Sequence, residues 1–136
     1  MKISNDMTIQ LLNKALDASV KRQGAISNNI ANVNTQNYKA NRVIFEEELK
    51  KAILPKNNAG LMTTKSKHMS LSQGIRDIKP RVVKDTHTTM GLDGNNVDID
   101  VENANLAANQ LLYNALVTQI NNKYRVLQHV ISEGKK

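Results

Sequence analysis

The sequence has no cysteine and no tryptophan, and only two prolines and one phenylalanine. Without thiols there can be no disulfide framework, no thiolate metal centre and no cysteine nucleophile. Aromatic residues make up 3% of the chain, namely Tyr38, Phe45, Tyr113 and Tyr124. Any core must therefore be built from Leu, Ile, Val and Ala, which cover less area per residue. Long apolar runs are also missing. The opening stretch MKISNDMTIQLLNKAL is broken by polar residues every few positions, so it is expected to be neither a cleavable secretory signal nor a membrane span. A glycine-rich phosphate loop and a nucleophile elbow are absent as well.

What is present is 136 residues, 40% of them hydrophobic and 18 of them asparagine. That length suits one domain or one long hairpin of elements. Amides in such number cost free energy wherever they are buried without partners, so the chain gains from burying surface against neighbours. The net charge of +7 is uneven: residues 51–90 carry 8 basic and 2 acidic side chains, while residues 91–136 carry 4 and 5. A basic middle attracts nucleic acid or an anionic surface in principle. Equally, it describes a solvated insert kept soluble by its lysines.

Three regions follow from the pattern. In residues 1–50, Ile9, Leu12, Leu16, Ser19, Gln23, Ile26 and Ile30 alternate three and four apart, the period of a helix presenting one stripe to a partner. The helix is expected from about Asp6 to Asn32, with Ser4, Asn5 or Asp6 as its cap. Asparagines 32, 34 and 37 favour a turn after it. Residues 38–45 read as an extended or irregular link, and Glu46–Leu54 as a short helix stopped by Pro55. Residues 51–97 show no sustained helical period and are expected to be extended or irregular, with little regular β structure. Residues 98–136 contain the last helix, capped by Asp98 or Asp100, with Glu102 complementing the helix dipole, and ending at Gly134. Its apolar residues form two stripes, Val101, Ala104, Ala108, Leu111, Ala115 and Leu106, Tyr113, Leu116, Ile120, Tyr124, Leu127, Ile131. So broad a band can serve two partners, the first helix and something outside the monomer. The expected fold is mainly α, with long terminal helices paired as an antiparallel coiled coil. The seam is assigned to Ile9, Leu12, Leu16, Ile26 and Ile30 against Val101, Ala108, Leu116, Ile120 and Leu127.

Catalytic and metal chemistry find little purchase. An EF-hand loop begun at Asp93 would place Val97 at its fifth position, Asp98 where glycine is needed and Ala104 where a bidentate glutamate is needed, so it fails. His68, His87 and His129 are scattered and none pairs at ligand spacing. Glu46, Glu47 and Glu48 read as a helix surface. The basic run has no interleaved aromatics to stack bases. No catalytic residue, cofactor, metal or small-molecule substrate is expected, and nucleic-acid or anionic-surface binding remains the second functional class.

Two motifs carry a resemblance. Ser27-Asn28-Asn29-Ile30-Ala31-Asn32-Val33-Asn34-Thr35-Gln36-Asn37-Tyr38-Lys39-Ala40 resembles the N-terminal signature of the flagellar rod and hook protein family, Asn-Ile-Ala-Asn followed by Thr-x-Gly-Tyr/Phe. Asp93-Gly94-Asn95-Asn96-Val97-Asp98-Ile99-Asp100 looks like the lead into the last helix in the proximal rod branch of that family. The Thr64–His68 region is similar too, and the resemblance spans essentially the whole chain. It departs at Asn37, where the family usually has glycine; asparagine is the non-glycine residue that best tolerates a left-handed backbone. The resemblance implies a structural subunit of the bacterial flagellar basal body, with terminal helices lining an axial tube that transmits torque and forms an export channel. It implies type III export without a cleavable signal and a place in the periplasmic rod. Implied partners are copies of the chain, neighbouring rod proteins, the ring–rod junction protein, the membrane ring and the export apparatus. The asparagines of both helices are then expected to bond across subunits.

Overall fold

A computed structural model describes residues 7–53, 77–88 and 92–134. Helix α1 spans Met7–Ala31, strand β1 Asn41–Ile44, helix α2 Glu46–Ile53, strand β2 Arg81–Lys84 and helix α3 Ile99–Glu133. The molecule is mainly helical, and the long terminal helices pack together. They run antiparallel, since Ser19 meets Asn109 while Asn29, further along α1, meets the earlier residue Glu102. The proposed caps Ser4, Asn5 and Asp6, the loop from Pro55 to Gly60 and the Thr64–His68 region lie outside the described residues.

Helix ends follow local chemistry. Asp98 sits in an extended conformation and its carboxylate accepts from the backbone N–H of Asp100 and Val101, capping α3. At the other end the N–H of Gly134 bonds the carbonyl of Val130. The link after α1 is more regular than an irregular connector: β1 pairs antiparallel with β2, Asn41 opposite Lys84 and Ile44 opposite Arg81. Thr, Val and Ile pairs in short segments gave no register because the partner strand lies some forty residues away.

Helix α1 buries two faces. Ala18 packs with Phe45 and Ile78, joined by Leu11, Ala15, Val43, Leu49 and Ala52, so the one phenylalanine anchors the core beneath α2 and the β ribbon. The other face carries Ile9, Ser19 and Ile26, all buried, with Leu12, Leu16 and Ile30 half-buried. On α3 the residues withdrawn from solvent include Glu102, Leu106, Asn109, Tyr113, Leu116, Ile120, Lys123 and Leu127, which alternate four and three apart as a packed seam requires, flanked by the half-buried Asn105 and Val117.

That series corrects the assigned seam. Val101, 48% exposed, and Ala108, also exposed, lie outside this series, together with Ala104, Leu111 and Ala115. The inward positions beside them are taken by the polar Glu102 and Asn109. Reading the seam from apolar residues alone chose the outward stripe at this end. Leu116, Ile120 and Leu127 are half-buried within the inward series, and so is Lys123.

Candidate assembly site

The two sequence motifs converge in space. Where α1 ends, the side chain of Asn32 donates to the carbonyl of Asn28 and accepts from the Thr35 hydroxyl, and the Thr35 N–H bonds the Asn32 carbonyl. These local bonds compete with further helix and turn the chain. Asn37 adopts φ 57, the left-handed region anticipated for it, and its N–H reaches the Asp93 carbonyl at 2.9 Å.

Asn95 then clamps the turn. Its Nδ2 donates to the carbonyls of Asn32, Val33 and Thr35 at 3.0, 2.8 and 2.9 Å; with two hydrogens for three acceptors, one is shared. Its Oδ1 accepts from the Val97 N–H, and its own N–H bonds the Asp93 carboxylate. Asn96 does the same for the ribbon: it accepts from Ala40 N–H at 2.7 Å and donates to the Asp85 carbonyl and Thr88 hydroxyl. Lys39 adds bonds to the carbonyls of Thr88 and Gly94. Both asparagines are buried, so desolvated amides here replace an apolar plug and every bond has a directional requirement.

A second knot ties α1, β1 and α3. Asn29 is fully buried. Its Nδ2 donates to the Asn41 carbonyl at 2.9 Å and to Glu102 Oε2 at 3.0 Å; its Oδ1 accepts from Asn41 N–H at 2.7 Å and from the Tyr38 hydroxyl at 3.3 Å. All four positions of one amide are used. By bonding both backbone groups of Asn41, Asn29 acts as a short stand-in strand beside β1. Glu102, fully buried, gives its other oxygen to Arg42, so the carboxylate is paired as a buried charge must be. Its role is larger than the dipole complement expected of it. About two turns further along α3, Ser19 donates to Asn109 Oδ1 at 3.0 Å and Asn109 donates to the Ser19 carbonyl.

The expected cross-subunit bonding of helix asparagines is therefore corrected for Asn29 and Asn109, whose amides are satisfied within the chain. Tyr38 likewise does not send its hydroxyl to solvent: it donates to Asn29 and accepts from Asn41 Nδ2 at 3.0 Å. Among the signature residues, Ile30 is half-buried and Ala31 exposed; Asp93 is exposed, Gly94, Val97 and Asp98 half-buried. Sequence reasoning missed the set that joins Glu102, Arg42 and Asn41 through Asn29, and the separate pair Ser19 and Asn109. The available signal was a polar residue recurring within an apolar period, as Ser19 did.

Among the described residues no cluster of three or more His, Asp or Glu side chains comes together, and no helix is long and apolar enough to cross a membrane. His87 and His129 are exposed on separate elements, and His68 lies outside the described residues. The arrangement can hold two long helices in one alignment and present their outer faces.

Comparison with known proteins agrees with this reading of the motifs. Residues 9–39, which hold α1 and the signature turn, match the family described as flagella basal body rod protein. The chain is 39% identical over 123 residues to the flagellar basal body rod protein FlgB of Borreliella burgdorferi, covering 88% of this chain and 90% of the relative. It is 40% identical to FlgB of Borrelia hermsii, over 85% and 87% of the two chains, and 37% identical to FlgB of Bacillus subtilis, over 94% and 95%. Identity at this level over nearly the full length of both chains, on top of two motifs that meet in one junction, places the chain in the flagellar basal-body rod protein family.

Proposed function

We propose that the chain is a structural subunit of the proximal rod of the flagellar basal body, assembling with copies of itself and neighbouring rod proteins. In this reading residues 1–50 and 98–136 are the paired arms, and residues 51–97 are the segment between them. The signature residues Asn29–Asn32, Thr35, Asn37, Tyr38 and Asp93–Asp98 set the angle between arms and segment. The outer faces of the arms meet neighbours and form an axial tube that transmits torque and encloses the export channel. The ring–rod junction protein, the membrane ring and the type III export apparatus are its further partners, and its place is the periplasmic rod.

The observation that supports this most is the exposed apolar stripe Val101, Ala104, Ala108, Leu111 and Ala115 on α3. The inward series already pairs with α1, so this second stripe is available to another chain. Deleting the chain from its host should abolish rods in isolated basal bodies, and supplying it back should restore them. Pull-downs with the junction and neighbouring rod proteins should recover stable complexes. Normal rods in the deletion strain would overturn the proposal.

A further inference from the structure

We infer that the outer edge of β2 receives an extended acidic segment of another protein, which joins the ribbon as a third strand. This contact uses neither long helix and does not rest on the rod reading. The phase of the β1–β2 ladder points to it. The N–H of Asp85 bonds the carbonyl of Ala40, the pair that follows Asn41 and Lys84 in the register. In an antiparallel ribbon bonded and non-bonded pairs alternate. Arg42–Val83 and Ile44–Arg81 are therefore the bonded pairs, and Asn41, Val82 and Lys84 turn their backbone N–H and C=O away from the opposite strand. Asn29 agrees with that phase on the β1 side, because its side chain takes both groups of Asn41.

On the β2 side no residue plays the part of Asn29. The sheet has the order β1–β2, with β2 at its edge. Among the described residues, no hydrogen bond reaches the outward N–H or C=O of Val82 or Lys84. Pro80, next in the same phase, has no N–H, and Lys21 holds its carbonyl. The receptive stretch therefore runs from Val82 to Lys84, two donors and two acceptors at the spacing of a strand.

Charge selects the kind of strand. From Lys79 to Lys84 every charged side chain is positive, and Lys79, Arg81 and Lys84 are all exposed. Among the described residues none of the three pairs with a carboxylate. Side chains alternate along a strand, so Arg81 shares a face with Lys79, and Lys84 with Val82, which is 50% exposed. A carboxylate on either face of an added strand meets a cation, and an apolar neighbour meets Val82. Cations along an edge discourage edge-to-edge pairing of copies; a strand that carries carboxylates reverses the sign.

Hydrogen exchange on the full-length chain tests this with two probes, short peptides that alternate glutamate with valine or lysine with valine. The glutamate peptide is expected to slow exchange at the Val82 and Lys84 amides about tenfold, less so at high salt, and the lysine peptide to leave them unchanged. Arg81→Glu combined with Lys84→Glu should reverse that preference. Val82→Pro removes one outward N–H and none of the bonds to β1, a place where an edge strand accepts proline. It should weaken capture of the glutamate peptide while the Val83 amide stays as protected as in the parent. A glutamate peptide that binds without protecting Val82 and Lys84 makes an ionic contact only and overturns the strand addition, as do equal effects of the two peptides or none from either. Protection of both amides in the chain alone also overturns it: copies pair edge to edge if the protection depends on concentration, and the chain covers its own edge if it does not.

Discussion

Asn37 and Gly94 face each other with both backbones in the left-handed region, φ 57 and φ 75. A Cβ on Gly94 would stand 2.5 Å from Asn37 Oδ1, so the Asn37 amide would have to move. The two motifs therefore meet through a pair of residues that are each there for backbone reasons. Gly94→Ala should destabilise the protein by about 1–2 kcal/mol or more, from left-handed strain plus the clash. Asn37→Gly should be neutral or slightly stabilising, since it removes strain and the opposing oxygen, while Asn37→Val should be clearly harmful. Urea denaturation of the three variants and of the Asn37→Gly, Gly94→Ala double variant checks this. Additive effects in the double variant would show that the two residues do not touch.

The amide of Asn29 should resist even isosteric change. Asn29→Asp replaces a donor with a carboxylate about 3 Å from Glu102, where like charges in a buried site repel. The variant should lose on the order of 3–5 kcal/mol at neutral pH. Protonating the introduced carboxyl removes the repulsion, so the deficit relative to the parent should be smaller at acidic than at neutral pH. Thermal melts at pH 7.5 and pH 4.5 test the sign; an equal deficit at both would exclude the charge explanation.

Asn95 offers a sharper contrast. Asn95→Asp turns the Nδ2 that serves three carbonyls into an oxygen facing them, whereas Asn95→Ala only removes it. Alanine should cost about 1–3 kcal/mol, and aspartate more. Hydrogen exchange should rise at Asn37 and Tyr38, whose amides bond the carbonyls of Asp93 and Thr35. Protection there unchanged in both variants would mean that Asn95 is not the clamp.

Ser19 and Asn109 form an isolated polar pair in the helix seam. Either single change, Ser19→Ala or Asn109→Leu, leaves a buried partner without its bond and should cost about 1–3 kcal/mol. Joint replacement by apolar residues should cost less than the sum of the singles. A double-mutant cycle by denaturation measures the coupling; a coupling near zero would show the pair to be energetically idle.

On the apolar part of the seam, Leu116→Asp or Ile120→Asp should separate the helices and prevent rod assembly, because an unpaired charge enters the interface. The proper control is an exposed position such as Arg125→Gln. Lys123 is half-buried in the same series and is unsuited to that use. Normal swimming of the Asp variants would place the interface elsewhere.

Much of this was legible in the residues. The 3–4 spacing along α1, the Asp98 cap and the Gly134 stop are local signals, and the structure places those elements within a residue or two of their expected ends. The turn at Asn32–Tyr38 was legible for the same reason, including the strain at Asn37. Glu102, Asn29 and Asn109 were not, because a periodicity argument sorts residues by hydropathy and assigns polar ones to solvent. Their burial depends on partners 73 and 90 positions away. The same limit hid the β1–β2 pairing and exchanged one apolar stripe of α3 for the other at Val101 and Ala108.

The distance in sequence between the knotted residues also governs when the molecule can become itself. Closing loops of 73 and 90 positions carries an entropic cost that grows only slowly with length, but it must be met before any of these bonds forms. Contacts of such separation slow folding more than they weaken the folded state. A chain emerging from its N-terminus thus holds α1 with the Ser19 hydroxyl unbonded to Asn109, and one of the four bonds of Asn29 unmade, until the last quarter of the sequence arrives. The first helix is in effect kept provisional by the last, and commitment to the fold is a late, all-at-once event.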